Sequence, residues 1–176
     1  MKTERYCGPR TLLGEAHMHQ LAPLTAEEKT RLEDSPEFRP WIIKRYTYWT
    51  VYLTVRDQGL PGRMHVWLNR HVDCMGYEEL LLDEQIEFSK TIVPRIRHAV
   101  SEIGPYLRLN IEWLGNEIEG HRGHGHFHVT PRYSEPFECN GRGYEDLFPN
   151  KRRSTPKLAL SHDELAYIRD VLKTKF

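Results

Sequence analysis

No window of 18 consecutive apolar residues occurs anywhere in the 176-residue chain, so nothing in it reads as a membrane span. Cysteine is scarce. Cys7, Cys74 and Cys139 are odd in number and far apart, which argues against a disulfide framework and against a Cys-x-x-Cys zinc site. Net charge is absent too, because 25 Lys and Arg are balanced by 25 Asp and Glu. A general electrostatic grip on nucleic acid is therefore not expected, and any anion site has to be local. Met1-Lys-Thr-Glu-Arg5 leads into no apolar run, so no secretory leader is expected, and a reducing cytoplasm is the natural reading. What is present is a globular composition, 39% hydrophobic and 28% charged, with the length of one domain. Its oddity is ten histidines, with His121, His124, His126 and His128 crowded into one short stretch.

Residues 1–45 are rich in turn formers and read as an N-terminal arm or lid. Within the arm, Thr25-Ala-Glu-Glu28 has the form of a capping box opening a short solvated helix, which Pro36 and Pro40 end. The main domain is expected from 46 to 176. Alternation of period two begins at Tyr46, with Thr47, Trp49, Val51, Leu53 and Val55 facing one way. A turn cluster, Asp57-Gln-Gly-Leu-Pro-Gly62, leads to a second strand in Arg63–Leu68. A helix is expected over Asp83–Glu102, its apolar face carried by Ile86, Val93, Ile96, Val100 and Ile103, with a kink or break at Pro94. Alternation returns over 106–114, placing Leu107, Leu109, Ile111 and Trp113 together. A further strand runs from His124 to Thr130, closed by Pro131, and Ser134–Pro156 reads as loop. Ser161-His-Asp-Glu164 is a second capping box, opening a helix with Leu165, Ile168 and Leu172 on its apolar face. Strands with two main helices and no regular βαβ alternation predict an α+β fold on an antiparallel sheet of about five strands.

The chemistry concentrates in Gly120-His-Arg-Gly-His-Gly-His-Phe-His-Val-Thr-Pro-Arg132. On a strand, His124, His126 and His128 project from one face, about 7 Å apart per step, with Gly125, Phe127 and Val129 on the other. Three imidazoles on one face have three readings. They form a solvated surface, they ligate a metal such as zinc, copper or iron, or one of them is a nucleophile. Neutral imidazole is a competent nucleophile near its own pKa, provided its second ring nitrogen is held in one tautomer. Periodicity leaves the last two readings close to even.

The pattern His124-x-His126-x-His128 followed by Val129-Thr-Pro-Arg132 resembles the signature of the histidine-triad family, in the form with histidine rather than glutamine at the third position, as in the hydrolase branches. Upstream, Leu60-Pro-Gly-Arg-Met-His-Val-Trp-Leu-Asn-Arg-His71 is similar to the family's Pro-Gly-His strand. Tyr77-Glu-Glu-Leu80 with the helix after it is similar to the helix between its strands, and Asn110–Gly120 to its phosphate loop. The resemblance spans about Trp49 to Tyr133. Gly125 replaces a usual hydrophobic residue, Arg63 stands where the family often has histidine, and the glutamine usual shortly before the triad is absent, with His121 nearby.

The resemblance implies a nucleotide hydrolase or phosphoramidase, with dinucleoside polyphosphates or nucleoside phosphoramidates as substrates. His126 would attack an α-phosphorus to form a nucleotidyl-histidine that water then hydrolyses. His124 would lie on the leaving-group side, and His128 would contact phosphate oxygens. Asn116, Asn69, His121 and His71 are candidate substrate contacts, and Arg122 and Arg132 are cations at the rim. No cofactor or metal is required by this scheme. The resemblance also implies a homodimer and no membrane. Two other classes stay open: a metal-dependent hydrolase with the histidines as ligands, completed by Glu112 or Glu117, and a nucleotide-binding module without turnover. His17 and His19 offer a further, weaker metal-binding pair.

Overall fold

The computed structural model describes residues 38–70, 76–113, 125–149 and 156–176. Five strands form one antiparallel sheet: β1 Ile42–Arg45, β2 Trp49–Leu53, β3 Met64–Leu68, β4 Tyr106–Trp113 and β5 His126–Tyr133, in the spatial order β1-β2-β3-β5-β4. Between β3 and β4 a helical run comprises α1 Leu82–Ile86, a π-helical segment Glu87–Ile92 and α2 Val93–Val100. After β5 a small hairpin, β6 Phe137–Cys139 and β7 Arg142–Tyr144, precedes the C-terminal helix α3 His162–Lys173. This is the α+β arrangement expected. Among the described residues, no helix is long and apolar enough to cross a membrane.

The sheet has two unlike faces because its strands alternate. Trp49, Val51 and Leu53 of β2, Met64, Val66 and Leu68 of β3, and Phe127, Val129 and Tyr133 of β5 join one apolar core with Phe88, Ile92, Ile96, Val100, Leu165, Ile168 and Leu172. The opposite face carries Thr50, Tyr52, His65, Trp67, His126 and His128, as the pairings Thr50–Trp67, Tyr52–His65, His65–His128 and Trp67–His126 require. The helices cover the first face and leave the histidine face to other contacts.

Several expectations are corrected. β1 lies in the stretch assigned to the arm, yet it pairs with β2, and Trp41 and Ile43 are buried in the core, so the sheet begins at Ile42 rather than at Tyr46. Ile86 is half exposed rather than on the core face. The π-helical segment inserts one residue ahead of Pro94, which rotates everything N-terminal to it by about 100° relative to a regular helix. Phe88 and Ile92 take the core positions instead. In β4 the pairing shifts between Tyr106 and Arg108, so Leu107 falls at a bulge and is exposed, and Ile111 is exposed beside it. Pro131 lies inside β5 rather than closing it. β3 pairs with β5 only as far as Met64 opposite Val129, so beyond that pair the β3 side of β5 has no ladder for a missing N–H to break. The hairpin β6–β7 lies in the stretch read as loop. Its turn is Asn140-Gly141, both with positive φ (52° and 75°), the combination a tight two-residue hairpin turn demands. Residues 110–113, read as the start of a phosphate loop, belong to β4. The helix expected near Thr25, together with Cys7, Cys74, His17 and His19, lies outside the described residues.

The second capping box forms as expected: Ser161 Oγ accepts from Glu164 N, and the Glu164 carboxylate accepts from Ser161 N at 2.8 Å. Arg132, expected as an exposed rim cation, is instead 1% exposed and paired with Asp146 through Nε and a terminal nitrogen at 2.6 and 2.7 Å. Burial alone would raise the Asp146 carboxyl, but the hydrogen bonds and charge of Arg132 outweigh it and hold the group below the usual carboxylate range.

Gly125 has a packing reason. A Cβ there would meet the Trp113 indole at 2.8 Å, and that ring is itself packed on Phe127 at 4.8 Å between centroids. Gly125→Val, which restores the residue type expected of the family, should therefore cost about 1–3 kcal/mol of unfolding free energy by overpacking. Asp146→Ala, which strands a buried guanidinium, should cost about 3–5 kcal/mol, and Ser161→Ala about 1 kcal/mol. Urea denaturation of the three variants checks this order.

Candidate functional site

The register of β3 against β5 builds the site. His65 stands directly opposite His128 and Trp67 directly opposite His126. The ring centroids lie 4.5 Å apart for His65–His128, 5.4 Å for His65–His126 and 4.7 Å for His126–His128. The Nε2 atoms of His126 and His128 are 2.9 Å apart, a hydrogen bond in which one ring donates and the other accepts. One ligand atom from each of His65, His126 and His128 lies within 4.8 Å of the others. His126 is buried, and His65 and His128 are partly exposed. An aromatic wall flanks His126, with Trp67 at 5.8 Å, and Trp67 packs in turn on Tyr52 at 5.2 Å and Phe38 at 5.5 Å.

The loop before β3 is held by Gln58, fully buried. Its Nε2 donates to the carbonyls of Thr54 and Arg63, and its Oε1 accepts from Gly62 N and Arg63 N. Gly62 has φ +82°, and a Cβ there would collide with Ile103. At the far end of β3, Arg70 pairs with the buried Glu84 of α1, which ties the strand to the start of the helix. These contacts fix both ends of the strand that carries His65 and Trp67.

Electrostatics favour neutral rings. Burial, then His128, His126 and Arg63, push His65 well below the ordinary imidazole value. Burial, then His126 and Arg63, lower His128 to about 4. Near neutral pH both rings are therefore uncharged, with one N–H and one lone pair each. Arg63, at the position where histidine was the family expectation, forms an ion pair with Asp57 and contributes only its field to the rings.

Of the residues singled out from sequence, the structure brings His126 and His128 together on one face. Asn69 sits near them at the end of β3, but its side chain is engaged within the fold. Its Oδ1 accepts from Thr50 Oγ1 at 2.7 Å and its Nδ2 donates to the carbonyls of Tyr46 and Thr47, so it fastens the β1–β2 turn. His124, His121, Asn116, His71, Arg122 and Glu117 lie outside the described residues. The reading from sequence missed His65 and Trp67. Both alternate with core residues on β3, which signals the face they share, but only the β3–β5 register shows that this face carries His126 and His128.

No protein-family model matches the chain, and no curated protein sequence does. Solved structures do. A hypothetical histidine triad nucleotide-binding protein of Sulfolobus tokodaii superposes with a TM-score of 0.57 at 16% identity, over 84% of this chain and 89% of that one. A histidine triad protein of Bradyrhizobium japonicum gives 0.56 at 20% identity, over 76% and 88%. A Hit-like protein involved in cell-cycle regulation from Bartonella henselae gives 0.53 at 15% identity, over 77% and 86%. At these identities the likeness is one of fold, and the fold is that of histidine-triad proteins.

The depressed imidazoles carry a sign. His65 and His128 bind fewer protons folded than unfolded at pH values below the ordinary histidine value of about 6.5, so stability rises with pH there. It is lost as pH falls from about 6.5 toward 4. Urea midpoints should drop across that window in the wild type, and His65→Leu should flatten the slope. An unchanged slope in the variant would show that His65 titrates as it does in the unfolded chain.

Proposed function

We propose that the chain is a histidine-triad enzyme that takes a nucleotidyl group from an α-phosphate anhydride, ester or phosphoramidate onto His126 and passes it to water. The observation that carries the reading is the His126–His128 pair, two imidazoles joined Nε2 to Nε2 at 2.9 Å on a sheet with the histidine-triad fold. In the productive tautomer His128 donates and His126 accepts, so the His126 lone pair is already directed at a hydrogen. When substrate enters, the His128 N–H turns to a non-bridging phosphoryl oxygen and frees that lone pair. The Nε2–P bond forms, and the bond from phosphorus to the leaving oxygen or nitrogen breaks. The residue proposed for the leaving-group side is His124. Water then attacks phosphorus, the P–Nε2 bond breaks, and nucleoside monophosphate leaves. Dividing one displacement into two lowers each barrier, and neutral donors aimed at the phosphoryl oxygens stabilise the charge that develops there.

Dinucleoside polyphosphates and nucleoside phosphoramidates are the proposed substrates, with a nucleotide as the small-molecule partner. His121, Asn116, His71 and Asn69 are the proposed contacts to it, the Asn69 Oδ1 keeping a second lone pair beside the hydrogen bond it accepts from Thr50. The proposed macromolecular partner is a second copy of the chain. β4 is an edge strand with Leu107 and Ile111 exposed, and among the described residues no strand pairs with its outer side. Sedimentation should give twice the chain mass, and Ile111→Lys on that edge should return it to one.

The decisive experiment incubates the protein with α-labelled diadenosine polyphosphate and with an adenosine phosphoramidate, quenches in base and looks for label on protein. The expected result is label and turnover that survive a chelator, with His126→Ala losing the label and about 10³-fold or more of the turnover. Nucleotide binding without label or turnover would instead leave a binding module, and turnover unchanged in His126→Ala would remove the covalent step.

A further inference from the structure

We propose that His65, His126 and His128 form a binding site for one transition-metal dication of the zinc class, and that this ion competes with nucleotidyl transfer for the His126 ring. The competition, though not the site, rests on the function proposed above. His65 makes the difference. Alternate histidines on a strand have Cβ atoms about 7 Å apart per step, so two neighbours can converge, as His126 and His128 do, but three in a row span about 14 Å and a compact third ligand has to come from a neighbouring strand. Here β3 supplies His65 directly opposite His128, and the three rings close into a triangle with ligand atoms all within 4.8 Å.

The dimensions suit a four-coordinate ion. Imidazole nitrogens bind zinc at about 2.0–2.1 Å, so two of them on a tetrahedral centre stand about 3.3 Å apart. The observed separations, from 2.9 Å between His126 and His128 to 4.8 Å at most, bracket that value. Modest ring rotations on a fixed backbone bring all three to it. The hydrogen now bridging the two Nε2 atoms is what an ion would replace, and the ring that gives it up takes its proton on Nδ1, so each ring stays neutral and no net proton is lost. A donor set made only of imidazole selects zinc, copper or nickel over magnesium or calcium, which prefer oxygen. Three protein ligands leave a fourth position for water. Glu112 pairs with His128 from the β4 side and sets a carboxylate position on the same face. The guanidinium of Arg63 opposes a dication, but its ion pair with Asp57 offsets that charge. Simple ring packing would also bring three imidazoles together, but it does not require their ligand atoms to converge.

A nitrogen whose lone pair binds metal cannot attack phosphorus, so the loaded protein has no free nucleophile. The test uses the metal-free full chain titrated with Co²⁺, followed by its visible ligand-field bands, and with Zn²⁺ by calorimetry. One equivalent should bind, and His65→Leu should weaken it at least tenfold. Because that variant could fold poorly, the wild type is also followed by the ring ¹⁵N resonances of its histidines, and those of His65, His126 and His128 should move with the first equivalent of Zn²⁺. Movement confined to other histidines, or unchanged affinity in His65→Leu, overturns the site. In the hydrolysis assay one equivalent of Zn²⁺ should lower turnover at least tenfold, with recovery on adding chelator. Turnover indifferent to Zn²⁺, or dependent on it, overturns the competition. If the cobalt bands appear and fall with His65→Leu while the metal-free protein cleaves no nucleotide, the site stands and the nucleotidyl-transfer reading fails.

Discussion

The pairing of β3 with β5 is the constraint on which the site depends. A slip of one residue in β3 would carry His65 and Trp67 to the helix side and bring Met64 and Val66 to the open side, and a slip in β5 would do the same to His126 and His128 against Phe127. The register is pinned from several directions. Phe127 lies flat on Phe88 at 3.9 Å between centroids and edge-on to Trp113. Gly125 admits the Trp113 indole where any side chain would collide, and its carbonyl accepts from Leu68 N at 3.1 Å. At the other end Tyr133 donates its buried hydroxyl to the Pro61 carbonyl at 2.6 Å, fixing β5 against the turn that enters β3. The core and the histidine cluster are thus two faces of one alignment, and the core's packing energy sets the geometry of the chemistry.

The same economy governs charge. Three arginines in or beside the sheet are committed to partners: Arg132 to Asp146 in the interior, Arg70 to Glu84 at the helix start, Arg63 to Asp57 at the β2–β3 turn. With zero net charge and its nearby guanidiniums paired, this part of the molecule meets a ligand chiefly with imidazole and indole rings. Neutral rings in a partly dry site attract phosphate less than a lysine cluster would. They keep their lone pairs, however, and a lone pair is what nucleophilic attack and metal ligation both use.

Much of this was legible in the chain. Alternation at Trp49–Leu53 and Met64–Leu68, the His-x-His spacing, and the Ser161–Glu164 box each act through contacts close in sequence or through a periodicity that one segment shows by itself. What escaped depends on partners far away in sequence. The π-helical segment hides the true core face because one inserted residue leaves Ile86 outside and brings Phe88 in. Arg132 looks like a surface cation until Asp146 arrives from beyond the hairpin. The partners of the Asn69 amide, the carbonyls of Tyr46 and Thr47, are likewise more than 20 residues away. His65 became visible only with the register, since nothing within β3 says which residue of β5 it faces. The Asn140-Gly141 turn, by contrast, is a local signal, since both residues favour positive φ.

The hydrogen bond between His126 and His128 links the two ligands proposed for the cluster. Its net worth is about 1 kcal/mol, as for hydrogen bonds generally, and in the tautomer with His128 as donor it occupies the lone pair that the proposed chemistry at His126 needs. A phosphoryl oxygen releases that lone pair by accepting the His128 N–H in its place. A metal ion releases it by displacing the hydrogen and taking both nitrogens. The two outcomes differ in what His65 does. In the proposed phosphoryl transfer it is a neutral neighbour of the pair; for the proposed ion it is the third ligand, which would make binding stronger than two imidazoles alone provide. A triad confined to one strand would support the first outcome with little of the second, so under both proposals the histidine contributed by β3 is the residue that would open the site to each.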